Sequence, residues 1–138
     1  DSGFHPLELY NGGILLDSLF GKIYEGGLIY YLNTDDGSGM VSAPEDQSNQ
    51  ATMPEGEIIC EELVLNGYND WELPELYYLI LMYENLHENN LGDFSNSRYW
   101  SSDFHYPTAA WYVNFQNRIY DLAGYAVQMH VRATRSFH

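Results

Sequence analysis

The stretch EIICEELVLNGYNDWELPELYYLILMYENLHE, residues 57–88, decides the fold class. Two apolar runs with helical period flank a turn. In 57–66 the spacing points Ile58, Ile59, Leu63 and Leu65 toward a core. Glu57, Glu61 and Glu62 are left to water, which predicts a helix that Gly67 stops. Residues 68–75 carry Trp71 through a turn. Pro74 and Glu75 then open a second helix over 75–88, because proline is favoured at the first helical position. Leu76, Leu79, Ile80, Tyr83 and Leu86 mark its apolar face.

On both sides of this helical pair the pattern turns to strands and loops. Residues 23–32 (IYEGGLIYYL) read as a strand, 33–39 (NTDDGSG) as a hairpin loop with Asp-Gly turn chemistry, and 40–44 (MVSAP) as the returning strand. Residues 45–56 read as a polar loop. After residue 89 come short strand-like pieces at 98–102, 109–115 and 118–122, and a closing strand at 128–137. Helices segregated from antiparallel strands predict an α+β domain over 23–138. Residues 1–22 form a lead-in or oligomer contact, in which the Leu-rich segment 14–20 is the candidate contact.

The chain has 138 residues and a formal net charge of −15. Nucleic-acid binding, which requires phosphate neutralisation by Lys and Arg, is not expected, and neither is attraction to anionic membranes. No run of residues is long and apolar enough to insert into a membrane. The charge is uneven. Residues 1–97 hold eighteen acids and one base, Lys22, whereas Arg98, Arg118, Arg132 and Arg135 all lie in 98–138 with Asp103 and Asp121. Cys60 is the only cysteine, so no intrachain disulfide or Cys-based zinc cluster can form, and its helical apolar setting predicts a buried thiol.

Little in the chain suggests chemistry. No nucleophile-elbow motif is present, and the adjacent pairs Asp35-Asp36 and Glu61-Glu62 point apart. The five histidines show no i, i+4 pairing, which argues against zinc. Asn33, Asp35, Asp36 and Ser38, and Asn69, Asp70 and Glu72, offer oxygens that calcium could use. Neither segment has EF-hand spacing, and the Asp-Gly pair is already explained as a turn. The expectation is therefore no cofactor, with calcium kept as a lesser alternative. Arg98 and Arg118 read as the freer arginines, with forks suited to sulfate or carboxylate. Tyr106, Tyr112, Tyr120 and Tyr125 read as candidate exposed stacking or hydrogen-bonding rings, and Trp71, Trp100 and Trp111 as core rings. Region 98–127 is the expected ligand face.

The ordered pieces YEGGLIYYL (24–32), GMVSAPEDQS (39–48), CEELVLNGYNDWELP (60–74), LMYENLHENNLGDFSNSRYWSS (81–102), AWYVNF (110–115) and VRATRSF (131–137) resemble the bacterial DUF1566 domain family. A domain of that type closes the Legionella collagen-like adhesin. The resemblance implies a C-type-lectin-like fold, with two helices packed on antiparallel sheets and a loop-rich C-terminal half. It also implies a secreted or bacterial cell-surface location, adhesion through glycans such as sulfated glycosaminoglycans, and a homotrimer. The similar formylglycine-generating enzymes need active-site cysteines that this chain lacks, so the reading is a binding module and not an enzyme. Arg132 and Arg135 lie in the piece that resembles the closing strand, and at least one is expected to pair with a carboxylate such as Asp46 or Asp70. The chain departs from the family pattern in a shorter loop at 45–56, in Tyr77 and Tyr78 at a helix start, and in RIYDLAGYAVQM at 118–129. Two alternatives remain. One is a retroelement-type variable domain that binds protein ligands. The other is a structural trimerisation cap for a collagen-like stalk.

Overall fold

The computed structural model describes residues 4–138. It is an α+β protein with two sheets and short helices, as the alternation of elements predicts. The first sheet runs β1 (Ile23–Tyr24), β2 (Gly27–Leu32), β3 (Gly39–Ser42), β9 (Thr134–Phe137). The second runs β4 (Ser48–Ala51), β8 (Met129–Val131), β5 (Arg98–His105), β6 (Ala109–Asn114), β7 (Tyr120–Gly124). All ladders are antiparallel except β5 with β8, which are parallel.

Two buried clusters sit against these sheets. One gathers Trp71, Trp100, Cys60, Met53 and Val131 around α3 (Met53–Glu61). The other gathers Tyr30, Leu79, Met82, Leu86, Tyr99 and Phe115 around α4 (Leu76–Asn85). Neighbouring residues of β5 supply opposite clusters, Tyr99 to the second and Trp100 to the first, as strand alternation requires. Both tryptophans predicted for the core at 71 and 100 are buried, and the Trp100 indole donates to the Ala51 carbonyl at 2.9 Å.

Several boundaries differ from the sequence expectation, each for a local reason. The segment 23–32 is two strands, because Glu25 and Gly26 both adopt left-handed backbone and make a hairpin turn. Residues 45–56 are not a loop, since they hold β4 and the start of α3. That helix spans 53–61, not 57–66. Thr52 and Glu55 form a reciprocal capping box and Pro54 occupies the first turn, so the start signal lies upstream of the apolar run. The shift buries Met53, Gly56 and Cys60 and turns Ile58 outward, so Ile58 is not a core residue. Gly67 does not stop the helix; its left-handed backbone serves the tight turn in which Leu65 and Tyr68 exchange backbone bonds. The second helix ends at Asn85 and passes into a 3-10 turn at His87–Asn89. Its N-cap is Glu75, and the first free amide, Leu76 N–H, donates to Asp103 Oδ2 on β5 at 2.8 Å.

The lead-in is helical in two pieces, α1 (Pro6–Asn11) and α2 (Leu16–Leu19). Asp1, Ser2 and Gly3, part of the lead-in expectation, lie outside the described residues. Leu19 is fully buried and Leu16 and Phe20 pack on the first cluster, so only Ile14 and Leu15 of segment 14–20 face solvent as large apolar residues.

The segment 128–137 is two strands in different sheets. The switch falls at Arg132 and Ala133. Ala133 O accepts from Ala43 N, and Ala133 N donates to the Gln47 side chain, so neither ladder continues through this point. The Arg132 side chain is fully buried. Its guanidinium reaches Asp46 Oδ1 (Nε at 3.0 Å, Nη2 at 2.9 Å), Ala43 O (2.9 Å) and Asp93 O (3.1 Å), and lies 3.8 Å from the centre of the Phe94 ring. Tyr99 Oη and His130 Nδ1 also donate to the Asp46 carboxylate.

Leaving this buried cation without its anion is costly. Asp46→Ala should lose about 3–5 kcal/mol by chemical denaturation, and Asp46→Ala combined with Arg132→Met should recover a large part of that loss. Burial pushes the Cys60 thiol up to about 12. The folded protein should therefore leave a thiol-reactive disulfide reagent unconsumed at neutral pH, with the thiol titrating only after denaturant is added.

Candidate functional site

Three hollows run together on one side of the molecule. The first, about 410 Å³, is lined by Tyr83, His87, Glu88, Asn90, Leu91, Phe94, Asn96, Phe115 and Gln116. The second, about 320 Å³, shares Asn96 and Gln116 with it and adds Asn49, Ser97, Arg98, Asn114, Gln128, Met129 and His130. The third, about 480 Å³, shares Asn49 and His130 with the second and continues to Glu45, Asp46, Asp93 and Ser95. The result is a single furrow. Its residues come from β4 and the segment before it, from α4 and the loop between α4 and β5, from the start of β5, the end of β6 and the residues after it, and from β8.

Amides dominate the centre. The side chains of Asn49, Gln116 and Gln128 make no hydrogen bond to other described residues. Asn96 Oδ1 accepts from the His87 ring at 2.8 Å, and Asn114 Oδ1 accepts the Gln116 amide at 2.9 Å, so both retain donors. A planar amide offers a donor and an acceptor side by side, which suits vicinal hydroxyls. Arg98 is exposed, with its guanidinium 5.5 Å from the Tyr112 ring centre. The rim is acidic: Glu88 lines the first hollow and Glu45 and Asp93 the third, and these two hollows meet at Phe94.

His130 stands where the second and third hollows meet. Its Nδ1 donates to Asp46 Oδ2 at 2.8 Å and its ring packs against Tyr99 at 5.1 Å. An imidazole oriented by a carboxylate is also the arrangement a general base uses. Here Asp46 is shared with Arg132 and Tyr99, and no hydroxyl among the described residues bonds to His130 Nε2. The pair reads as a tether that fixes the ring. Burial, with the Asp46 charge second, pushes the Tyr99 hydroxyl above its ordinary range, so it stays a donor to Asp46.

The sequence-predicted site residues do not form one site. Arg98 lines the furrow and Tyr112 supports it from beneath. Arg118 is not free. Its Nε donates to Glu84 Oε2 at 2.7 Å, an ion pair at the surface. Tyr106 is 83% exposed but lies beyond the far end of β5, roughly 25 Å along the strand from Arg98. Tyr120 lies on edge strand β7 against Trp111, a half-exposed ring and not a core one, on the sheet face opposite Tyr112. Tyr125 is half-buried, and its backbone ties Thr108 to Met53. The furrow amides went unread because polar residues in loops carry no periodicity. The density of Asn and Gln at 89–96 and 114–117 was the available signal.

The chain matches no family model and no curated protein. Among the described residues no group of three or more His, Cys, Asp or Glu side chains could hold a metal ion. In the loop considered for calcium, Asp36 Oδ1 accepts from Ser38 N and Oγ and Asn33 Oδ1 from Asp35 N, the bonding of a turn. No described helix is long and apolar enough to cross a membrane.

Arg135 is paired as well as Arg132, with Nε and Nη2 on the two Asp70 oxygens at 2.7 and 3.1 Å and its guanidinium over Tyr68. The Arg135 bond holds the Asp70 carboxyl below its usual range. A depressed carboxylate pKa contributes stability above the unfolded value of about 3.9, and that contribution is lost as pH falls through the folded value. Asp70→Asn should therefore cost about 1 kcal/mol of stability at pH 7, given the solvent exposure of Asp70, and lower the melting temperature accordingly. At pH about 2 the mutant and parent should melt together, as thermal scans across pH would show.

Proposed function

We propose that this chain is a non-catalytic extracellular binding module on a C-type-lectin-like scaffold, and that it recognises glycans in the furrow centred on Asn49, Arg98, Asn114, Gln116, Gln128 and His130. The observation that carries the reading is the concentration of uncommitted amide side chains in a concave surface, beside an arginine held over an aromatic ring. Sugars present many hydroxyls that both donate and accept, and amides answer both. The motif resemblance supports an adhesin role on a bacterial surface, though the ligand face moves from the whole of 98–127 to this furrow.

Self-association into a homotrimer belongs to the same reading. Single furrows bind weakly in such a scheme, and three on one assembly gain avidity. Ile14, Leu15 and Ile23 are exposed apolar residues near the lead-in and are the surface such a contact would use.

The test is a glycan array followed by calorimetry on the strongest binder. Arg98→Ala and Gln128→Ala should each weaken affinity about 5- to 10-fold, in line with loss of one or two hydrogen bonds, with little change in melting temperature. Arg118→Ala should leave affinity unchanged. Absence of binding to every glycan at millimolar concentration defeats the proposal.

A further inference from the structure

The charge layout of the furrow narrows the ligand class. Arg98 is the only Lys or Arg among the residues lining the three hollows. Glu88 lines the first hollow and Glu45 and Asp93 line the third, whereas the Asp46 charge is paired with Arg132. Arg118, the next arginine in the chain, is neutralised by Glu84. Arg132 is fully buried beneath the furrow and its charge is spent on Asp46. A sulfated or carboxylated chain laid in this furrow would meet the carboxylates of Glu45, Glu88 and Asp93 and a single cation, Arg98.

The polar groups left over are neutral. Asn49, Gln116 and Gln128 present amides without partners among the described residues. His130 adds a further group. Its Nδ1 is engaged by Asp46, which leaves Nε2 as the ring nitrogen without a hydrogen-bond partner among the described residues.

We infer that the furrow selects uncharged oligosaccharides and discriminates against sulfated ones, with His130 Nε2 accepting a sugar hydroxyl at its centre. This rests on the glycan-binding reading above and names the class of glycan. Specificity of this kind comes partly from repulsion, because the flanking carboxylates penalise the wrong ligand more than they help the right one.

The experiment compares full-length chain binding to a panel of neutral oligosaccharides and to heparin-derived tetrasaccharide, each at about 20 mM and about 500 mM NaCl. The expected result is binding to at least one neutral sugar, with affinity constant within about two-fold across salt, and no measurable heparin binding. His130→Ala should weaken the neutral sugar about 10-fold, the loss expected for a buried hydrogen-bond partner. Because His130 touches the Asp46 network, His130→Gln provides a milder second variant, which should recover part of the loss. Glu45→Gln with Glu88→Gln should bring heparin binding into the measurable range at about 20 mM NaCl, and a double variant that still binds no heparin would remove these carboxylates as the source of the discrimination. Preferential binding of heparin, falling steeply with salt, would overturn the inference and leave the glycan reading standing. Binding to neither class overturns both. Unchanged neutral-sugar affinity in both His130 variants removes His130 from the site.

Discussion

The rest of the structure depends on one buried ion pair, Arg132 with Asp46. The chain leaves one sheet and enters the other at Arg132, where no regular ladder can hold it. The guanidinium replaces that ladder. It collects the carbonyls of Ala43 and Asp93, the Asp46 carboxylate and the face of Phe94, and so ties β3, the segment after it, the loop before β5 and β8 to one point. A buried charge with every donor directed is tolerable. The geometry at this switch is what the buried charge secures.

The functional surface follows from that tether. Asp46 and Asp93 contribute to the furrow on one side and to the Arg132 cage on the other. His130 is held by the same carboxylate. The furrow wall is therefore anchored from below, while its rim of amides is left without internal obligations. Such a division lets rim residues vary without loss of the fold, since core packing and rim chemistry use different atoms.

Much of this architecture was readable from local patterns. The two helices, the 33–39 hairpin and the strand at 109–114 carry their own period and turn chemistry; at least one of Arg132 and Arg135 was expected to pair with a carboxylate such as Asp46 or Asp70, and both do. What escaped was non-local. Strand β4 (SNQA) is polar and short, and it exists because β8 pairs with it. The break at Arg132 depends on Ala43 and Gln47, some ninety residues earlier in the chain. Arg118 seemed available because Glu84 lies on another element. The furrow amides have no pattern at all until the loop before β5, β6 and β8 are brought side by side.

The central place of residues 129–137 also sets an order of events during synthesis. β8 lies between β4 and β5, and β9 completes the first sheet beside β3. Until these residues leave the ribosome, β4 has no partner, β3 has an open edge, and the Asp46 carboxylate has no cation. A nascent chain ending at residue 128 can build hairpins and helices but neither finished sheet. Its unpaired edges are of the kind that invite association with other chains. Closure therefore comes late and at one stroke, and a chaperone that shields β3 and β4 until then would be acting at the point of greatest exposure.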